Sequence, residues 1–291
     1  MSRMTSRGKA TVRQLCRAMK VSPQAYYAAA RPAPASTKAG DLPRVSRGVP
    51  VSTLENEIRR ITSEQPGWGV RKVWARMRRD GIRVGRRRVW AVMGALGLLL
   101  PPPREREAAI RWGKVTVPES NRRWATDQTT AWTRQDGVVS IVPVIDCGDR
   151  YVLQVGVEKS QESPVMLAPT ARALEEVFSD PRQVPPGLEL RTDHGPQFTG
   201  ADCKDLCDAW GVEHTFAPVG RPTGNAVVER VIETLKIELL WLRDFETIDE
   251  LREAVTRWQA AYNYDRPHQA LQWQTPAERR QAGTGALRKV A

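Results

Sequence analysis

The hydrophobic rhythm of the chain changes near Trp124. Before that point apolar residues recur at three- and four-residue spacing, as in Leu54, Ile58 and Ile61 or Val89, Val92, Met93 and Leu96. After it, β-branched runs such as residues 138–145 enter. The first rhythm suits amphipathic helices and the second suits buried strands, so no single repeating architecture accommodates the whole chain. The charge changes at the same place. Residues 1–123 carry 27 Lys and Arg against 8 Asp and Glu, a net of +19; residues 124–291 carry 18 against 25, a net of −7. A segment that basic repels itself and attracts a polyanion, and nucleic acid is the first candidate. An anionic membrane surface fits less well, because the basic stretches lack a strongly apolar opposite face.

A chain of 291 residues is long enough for two domains or one large one. The most apolar short run, residues 95–100, stops at Pro101, far short of the ~18–20 residues that span a bilayer. The basic N-terminus leads into no apolar segment of the secretory type. Cys16, Cys147, Cys203 and Cys207 form no disulfide framework, which favours a reducing compartment. The expected location is the cytoplasm, with no membrane partner.

The basic half reads as two small helical units. Val12, Leu15, Cys16 and Met19 share a helical face, Val21-Ser22-Pro23 breaks it, and Ala25 and Tyr26 resume it. Ser22 suits a cap and Pro23 a first helical position, which gives residues 1–30 a helix-turn-helix outline. Residues 31–50, rich in Pro, Ala, Ser and Gly, read as a linker. Residues 51–103 read as a basic DNA-binding unit of three helices, with Gly67-Trp68-Gly69 and Asp80-Gly81 as turns. Its polar faces carry Arg71, Lys72, Arg76, Arg78, Arg79, Arg86, Arg87 and Arg88. Some of these are expected on DNA, mainly at phosphates; Arg71, Lys72, Arg76, Arg86, Arg87 and Arg88 are the candidates. A second linker is expected over 104–122.

The acidic half reads as α/β. Residues 138–145 and 151–157 form a hairpin around the polar turn 146–150, and a strand near 123–129 completes a meander. A helix opens at Ser163-Pro164 and reaches Phe178, with a kink or late start at Pro169. Short strands over 188–192 and 212–216 flank a helix carrying Cys203, Leu206, Cys207 and Trp210 on one face. Two long helices follow over 225–241 and 251–262. Cys203 and Cys207, with His194 or His214, invite a zinc reading. Their place on an apolar helical face favours packing instead.

Three carboxylates stand at positions where an α/β sheet gathers function. Asp127 ends Trp124-Ala125-Thr126-Asp127, Asp193 ends a short strand, and Glu229 lies near a helix start beside Val227 and Val228. Like charges brought together call for a cation or a shifted pKa. Mg²⁺ is the default for oxygen ligands, and two such ions suit phosphoryl transfer. Taken singly, each acid is better read as a cap or part of a solvated loop.

The segments together resemble a known family. Asp193 and Glu229 have 35 residues between them, which resembles the D…D-35-E pattern of retroviral integrases and insertion-sequence transposases. Thr192-Asp193-His194-Gly195-Pro196-Gln197-Phe198, Gly224-Asn225-Ala226-Val227-Val228-Glu229-Arg230 and Leu235-Lys236-Ile237-Glu238 are similar to its successive motifs. Tyr262-Asn263-Tyr264-Asp265-Arg266-Pro267-His268-Gln269-Ala270-Leu271 is similar to its closing one. Trp124 to Asp127 and Val144-Ile145-Asp146 fit as well. Gly224 departs from the family's frequent acidic or polar residue there, and Thr129-Thr130-Ala131 lacks an aromatic often seen after the first Asp.

The resemblance covers nearly the whole chain and is nearest to the downstream-frame product of frameshifting insertion sequences. It implies an RNase H-like integrase core, a five-stranded mixed sheet flanked by helices, over 123–280, preceded by small all-α helix-turn-helix units and followed by a tail over 281–291. It implies Asp127, Asp193 and Glu229 as the catalytic and metal-binding triad, with two Mg²⁺ ions for which Mn²⁺ could substitute. Lys236 would contact terminal DNA, Asn225 is a further DNA-binding candidate that would order the helix start or cap it, and His194 is a weaker DNA contact. Asp146 is implied to be structural, and the 266–268 segment to serve packing and chain reversal. The implied activity is a DNA transposase that nicks element ends and transfers strands by the free 3′-hydroxyl. The implied partners are double-stranded DNA of the terminal repeats and target, further copies of the chain on DNA, and an upstream-frame protein. The alternatives are an inactive domesticated DNA-binding regulator and a nonspecific nuclease.

Overall fold

The computed structural model describes residues 48–101, 117–218 and 225–287. The helix-turn-helix outline expected over 1–30 lies outside them, as do most of the two linkers. Residues from Val49 onward form one compact unit.

The three helices expected after residue 50 are α1 (Val51–Glu64), α2 (Val70–Arg79) and α3 (Arg86–Ala95). Leu54, Ile58, Ile61, Trp68, Val73, Met77, Val89 and Met93 close a small core of their own. At roughly 1.5–3 kcal/mol for each large apolar side chain removed from water, these contacts hold together a unit with little other secondary structure.

The acidic half is one mixed sheet. Its strands are β1 (Arg123–Thr126), β2 (Thr129–Thr133), β3 (Gly137–Asp146), β4 (Val152–Glu158), β5 (Glu189–Thr192) and β6 (Glu213–Phe216). β3 pairs antiparallel with β1, β2 and β4, while β1, β5 and β6 run parallel. The pairs Trp124–Asp146 through Thr126–Val144 and Thr129–Ile141 through Thr133–Gly137 follow one unbroken register along β3. β1 and β2 therefore occupy a single strand position, and six segments make the five strand positions of the expected sheet.

The break falls at Asp127, and Pro143 explains it. Cys147 donates its N–H to the Arg123 carbonyl. Amides alternate in direction along a strand, so the nitrogens of Ile145 and Pro143 face this same edge. Pro143 stands opposite Asp127 in the common register and has no N–H to donate. The ladder opens there, leaving Asp127 at a loosened strand end instead of mid-strand.

Helices cover both faces. α4 (Ser163–Phe178) and α6 (Ala201–Trp210) pack on one side with Trp124, Val144, Leu190, Cys203 and Cys207. The two cysteines are core side chains, with the His214 ring beside Cys203. α7 (Ala226–Leu235) and α8 (Ile248–Ala260) pack on the other side with Ala125, Ile141 and Val157. A four-residue helix, α5 (Pro196–Thr199), follows β5, and α9 (Pro276–Leu287) ends the described chain.

Several expectations need adjusting. α4 begins at Ser163 and runs through Pro169, so the late start is wrong. Gly156 on β4 makes room for the proline ring: a Cβ there would lie 2.4 Å from Pro169 Cγ. Gly156→Ala is expected to cost roughly 1–3 kcal/mol, read as a lower urea midpoint with an unchanged m-value. The long helices expected over 225–241 and 251–262 each give way to a wider π-type turn, at Lys236–Leu240 and Ala261–Asp265. The second linker ends earlier than expected, because Val117 packs against the core and the Asn121 N–H donates to Asp146. Asp146 is fully buried beside Asp149, and Arg280 of α9 pairs with both.

Candidate active site

The parallel register of β1 and β5 decides where two of the three acids stand. Arg123 is opposite Glu189, Trp124 opposite Leu190 and Ala125 opposite Arg191. Two residues further on, the same register sets Asp127 beside Asp193, on strands roughly 4.8 Å apart. Residues level with one another on neighbouring strands share a face. Ala125, two before Asp127, faces the α7 and α8 core, so both acids emerge on that side. α7 packs there through Val228, Val231, Ile232 and Leu235, and Glu229 sits exposed in its first turn.

Local hydrogen bonds hold the two strand-end acids. The Gln128 N–H donates to Asp127 Oδ1 at 2.7 Å, and the Gly195 N–H donates to Asp193 Oδ1 at 3.0 Å. Burial, with the charges of Asp193 and Glu229 added, pushes the Asp127 carboxyl up to about 6, against the pull of the Gln128 N–H and of Lys236. Burial also raises Glu229. Asp127 thus lies in the field of both other acids and of Lys236. Among the described residues, however, no three His, Cys, Asp or Glu side chains converge closely enough to hold a metal ion. The all-oxygen donor set and its uncompensated charge fit a hard divalent cation; the closure around one is not formed.

A measurable consequence follows for the metal-free protein. Asp127 binds its proton more tightly in the fold than in the unfolded chain. Its contribution to stability is therefore full below about pH 3.8 and is lost as pH rises through about 6. In EDTA, Asp127→Asn should melt higher than wild type at pH 8, with the difference vanishing near pH 4. Equal differences at the two pH values would contradict a strained carboxylate.

Asn225 does not cap its helix: its side chain makes no capping bond. It is buried, and its Nδ2 donates to the Thr126 carbonyl at 3.4 Å. That contact ties the start of α7 to the residue before Asp127, the ordering role open to it in the sequence. His194 is exposed and stacks on Phe216 with ring centres 4.9 Å apart. His268 is buried edge-on against Tyr262.

The basic residues of the helical unit divide. Arg86 and Arg87 open α3 and are exposed, Arg86 lying over the Trp74 ring. Arg88 turns back to donate to the Val49 carbonyl. Arg71 reaches Gln269, and Arg76 pairs with Asp80 and more distantly with Asp265. Lys72 corrects the expectation of a DNA contact. It is ion-paired to Glu238, whose side chain is only 4% exposed, and Arg266 completes the cluster. Burial pushes the Lys72 amine down, and a phosphate reaches it only by breaking that pair. Arg79 grips Glu278 with both terminal nitrogens. Glu238, Arg266 and Glu278 are thus docking residues that sequence reasoning missed; the Lys72–Glu238 and Arg79–Glu278 pairs span 166 and 199 positions. Their nearest signal was the acid in Leu235-Lys236-Ile237-Glu238.

A mixed sheet in this order, with helices on both faces and acids at the ends of two adjacent parallel strands, is an RNase H-like integrase core. Known proteins agree. Two models described as integrase core domain match residues 117–222 and 210–276, and an HTH-like domain matches residues 52–106. An insertion element IS136 uncharacterized protein of Agrobacterium fabrum is 29% identical over 187 residues, covering 60% of this chain and 89% of that one. The putative transposase InsK for insertion sequence element IS150 of Escherichia coli is 28% identical, covering 73% and 77%. Among solved structures, a simian T-cell lymphotropic virus intasome in complex with PP2A regulatory subunit B56 gamma is similar at 15% identity and a TM-score of 0.48, covering 77% and 74%. The chain carries an HTH-like domain followed by an integrase core and is similar to insertion-sequence transposases. Among the described residues no helix is long and apolar enough to cross a membrane.

Proposed function

We propose that the chain is a polynucleotidyl transferase that nicks DNA at the ends of its insertion sequence and joins the freed 3′ end to a second phosphodiester. The parallel register that levels Asp127 with Asp193 carries this reading, supported by the field of Glu229 and Lys236 at Asp127. Asp127, Asp193 and Glu229 would hold the divalent ions, Mg²⁺ with Mn²⁺ as a substitute. Bound there, such ions polarise a phosphodiester and activate an attacking oxygen. The protein's own groups do the rest. The strand ends fix two carboxylates on a rigid sheet, Asn225 fixes the approach of α7, and Lys236 attracts the backbone of the bound strand. Water attacks phosphorus and the P–O3′ bond breaks, leaving a 3′-hydroxyl. That hydroxyl attacks another phosphodiester, forming one P–O bond as one breaks, so no external energy is needed. No covalent protein intermediate is required.

Double-stranded DNA is the proposed partner, with Arg86 and Arg87 at the N-terminus of α3 as its exposed contacts; binding should weaken steeply with salt. Two ends must be held at once, so a dimer or larger assembly on DNA is proposed, with an upstream-frame protein as the proposed source of further DNA binding. The cytoplasm, at the nucleoid, is the proposed location. The test is purified protein with labelled element-end DNA and Mg²⁺. Strand joining supports the proposal, binding without nicking supports an inactive regulator, and nicking of any DNA without joining supports a nuclease.

A further inference from the structure

Beside Lys236 lies a groove that the proposed chemistry does not use. It encloses about 340 Å³ and is lined by Trp132, Val138, Lys236, Trp241, Arg243 and Asp244, among others. That volume is at the small end for ligand sites and suits one nucleotide. Trp132 and Trp241 are 56% and 70% exposed, and Val138 is exposed as well. Large aromatic surface left in water is costly unless something covers it. Lys236 joins the groove to the acids: it follows Glu229 by seven residues and its charge acts on Asp127, while Trp132 stands five residues beyond Asp127 along the shared strand position. Cations flank the indoles: Lys236 makes no ion pair among the described residues, and Arg243, its guanidinium over the Phe245 ring, approaches Glu250 only at 3.9 Å. Asp244 leans to Arg134.

We propose that this groove receives a base of unpaired DNA strand beside the reacting phosphodiester, stacked on Trp132 and Trp241 with Lys236 and Arg243 on the adjoining phosphates. Every base has a π-face, so such a platform binds single strands with little sequence preference. A second copy of the chain fits less well. Two-fold pairing on this patch brings Lys236 and Arg243 toward their own duplicates, whereas a nucleotide brings the anion they lack. The inference rests on the strand-transfer reading for its role, but the binding itself is separately measurable.

The probes are a labelled short oligothymidine and an abasic strand of the same length and charge, measured by anisotropy with the full chain. Wild type should bind the oligothymidine about tenfold more tightly. Trp132→Ala and Trp241→Ala should bring the ratio near one while leaving affinity for the abasic strand unchanged, and Trp241→Phe should retain most of the preference. Both indoles are largely exposed, so the variants should melt like wild type. Equal binding of the two strands by wild type, or a preference surviving both alanine variants, overturns the groove but leaves the strand-transfer reading intact. Binding of neither strand also overturns the groove, while the strand-transfer reading, which rests on double-stranded ends, is decided by its own joining assay. Loss of a dimer mass in Trp241→Ala, with base preference unaltered, assigns the patch to a second copy and also overturns the proposal.

Discussion

Asp193→Asn should abolish strand joining while leaving the fold and DNA binding in place. The asparagine side chain is nearly isosteric and keeps an oxygen for the Gly195 N–H that Asp193 Oδ1 accepts at 3.0 Å. The turn into α5 therefore survives, and what is removed is one negative charge level with Asp127. Charge stabilisation in phosphoryl transfer is worth several kcal/mol, and each 1.36 kcal/mol is tenfold in rate. The expected loss is on the order of 10³-fold or more in both nicking and joining. Affinity for end DNA, set by arginines elsewhere, should change little. The Asp127 carboxyl, relieved of one neighbouring charge, should fall toward its ordinary range, which NMR of labelled aspartate can follow. Joining at near wild-type rate in Asp193→Asn would remove the acid pair from the mechanism.

How much of this was open to the sequence differs by kind of information. Helical spacing placed α1, α2 and α3 because their apolar stripes are local. The five-stranded mixed sheet and the identity of the three acids came from the family motifs, since nothing in composition separates Asp127 from its neighbours. The break at Asp127 was not legible, because its cause, Pro143, acts across the sheet through an amide hydrogen it does not have. β2 was missed as a separate strand: its residues, Thr129 to Thr133, are polar or exposed by turns and gain their order from pairing with β3. The π-type turn at Lys236–Leu240 continues the apolar pattern of α7 and leaves no mark in the spacing. Groove and docking face join residues far apart in the chain. Trp132 and Trp241 line one groove, and Lys72 meets Glu238, only once the sheet has placed them. A basic residue on an amphipathic helix looks solvated in sequence, and Lys72 is instead held against the core by a buried carboxylate.

That buried carboxylate carries the largest expected loss of stability. Glu238 follows the Lys236 site by two residues, and Gly67 of the helical unit packs against the same turn, where a Cβ would lie 3.2 Å from Glu238 Cγ. Its carboxylate accepts from Lys72 and, at 3.0 and 3.1 Å, from the Arg266 Nε. Removing one member of a buried pair leaves the remaining charges desolvated, typically at a cost of 3–5 kcal/mol. Lys72 keeps a quarter of its side-chain exposure, so Glu238→Ala should cost about 3 kcal/mol, the low end of that range. Lys72→Met should cost much less, because Arg266 goes on neutralising Glu238. A double-mutant cycle then isolates the coupling across the docking face. The loss should also reach the chemistry: with the turn released, Lys236 is no longer fixed relative to Asp127, and joining should slow more than end binding weakens. Thermal denaturation and end-joining assays of the three variants test this together. If Glu238→Ala melts with wild type, the helical unit is not clamped to the core in solution, and its basic residues, Lys72 included, become free for DNA.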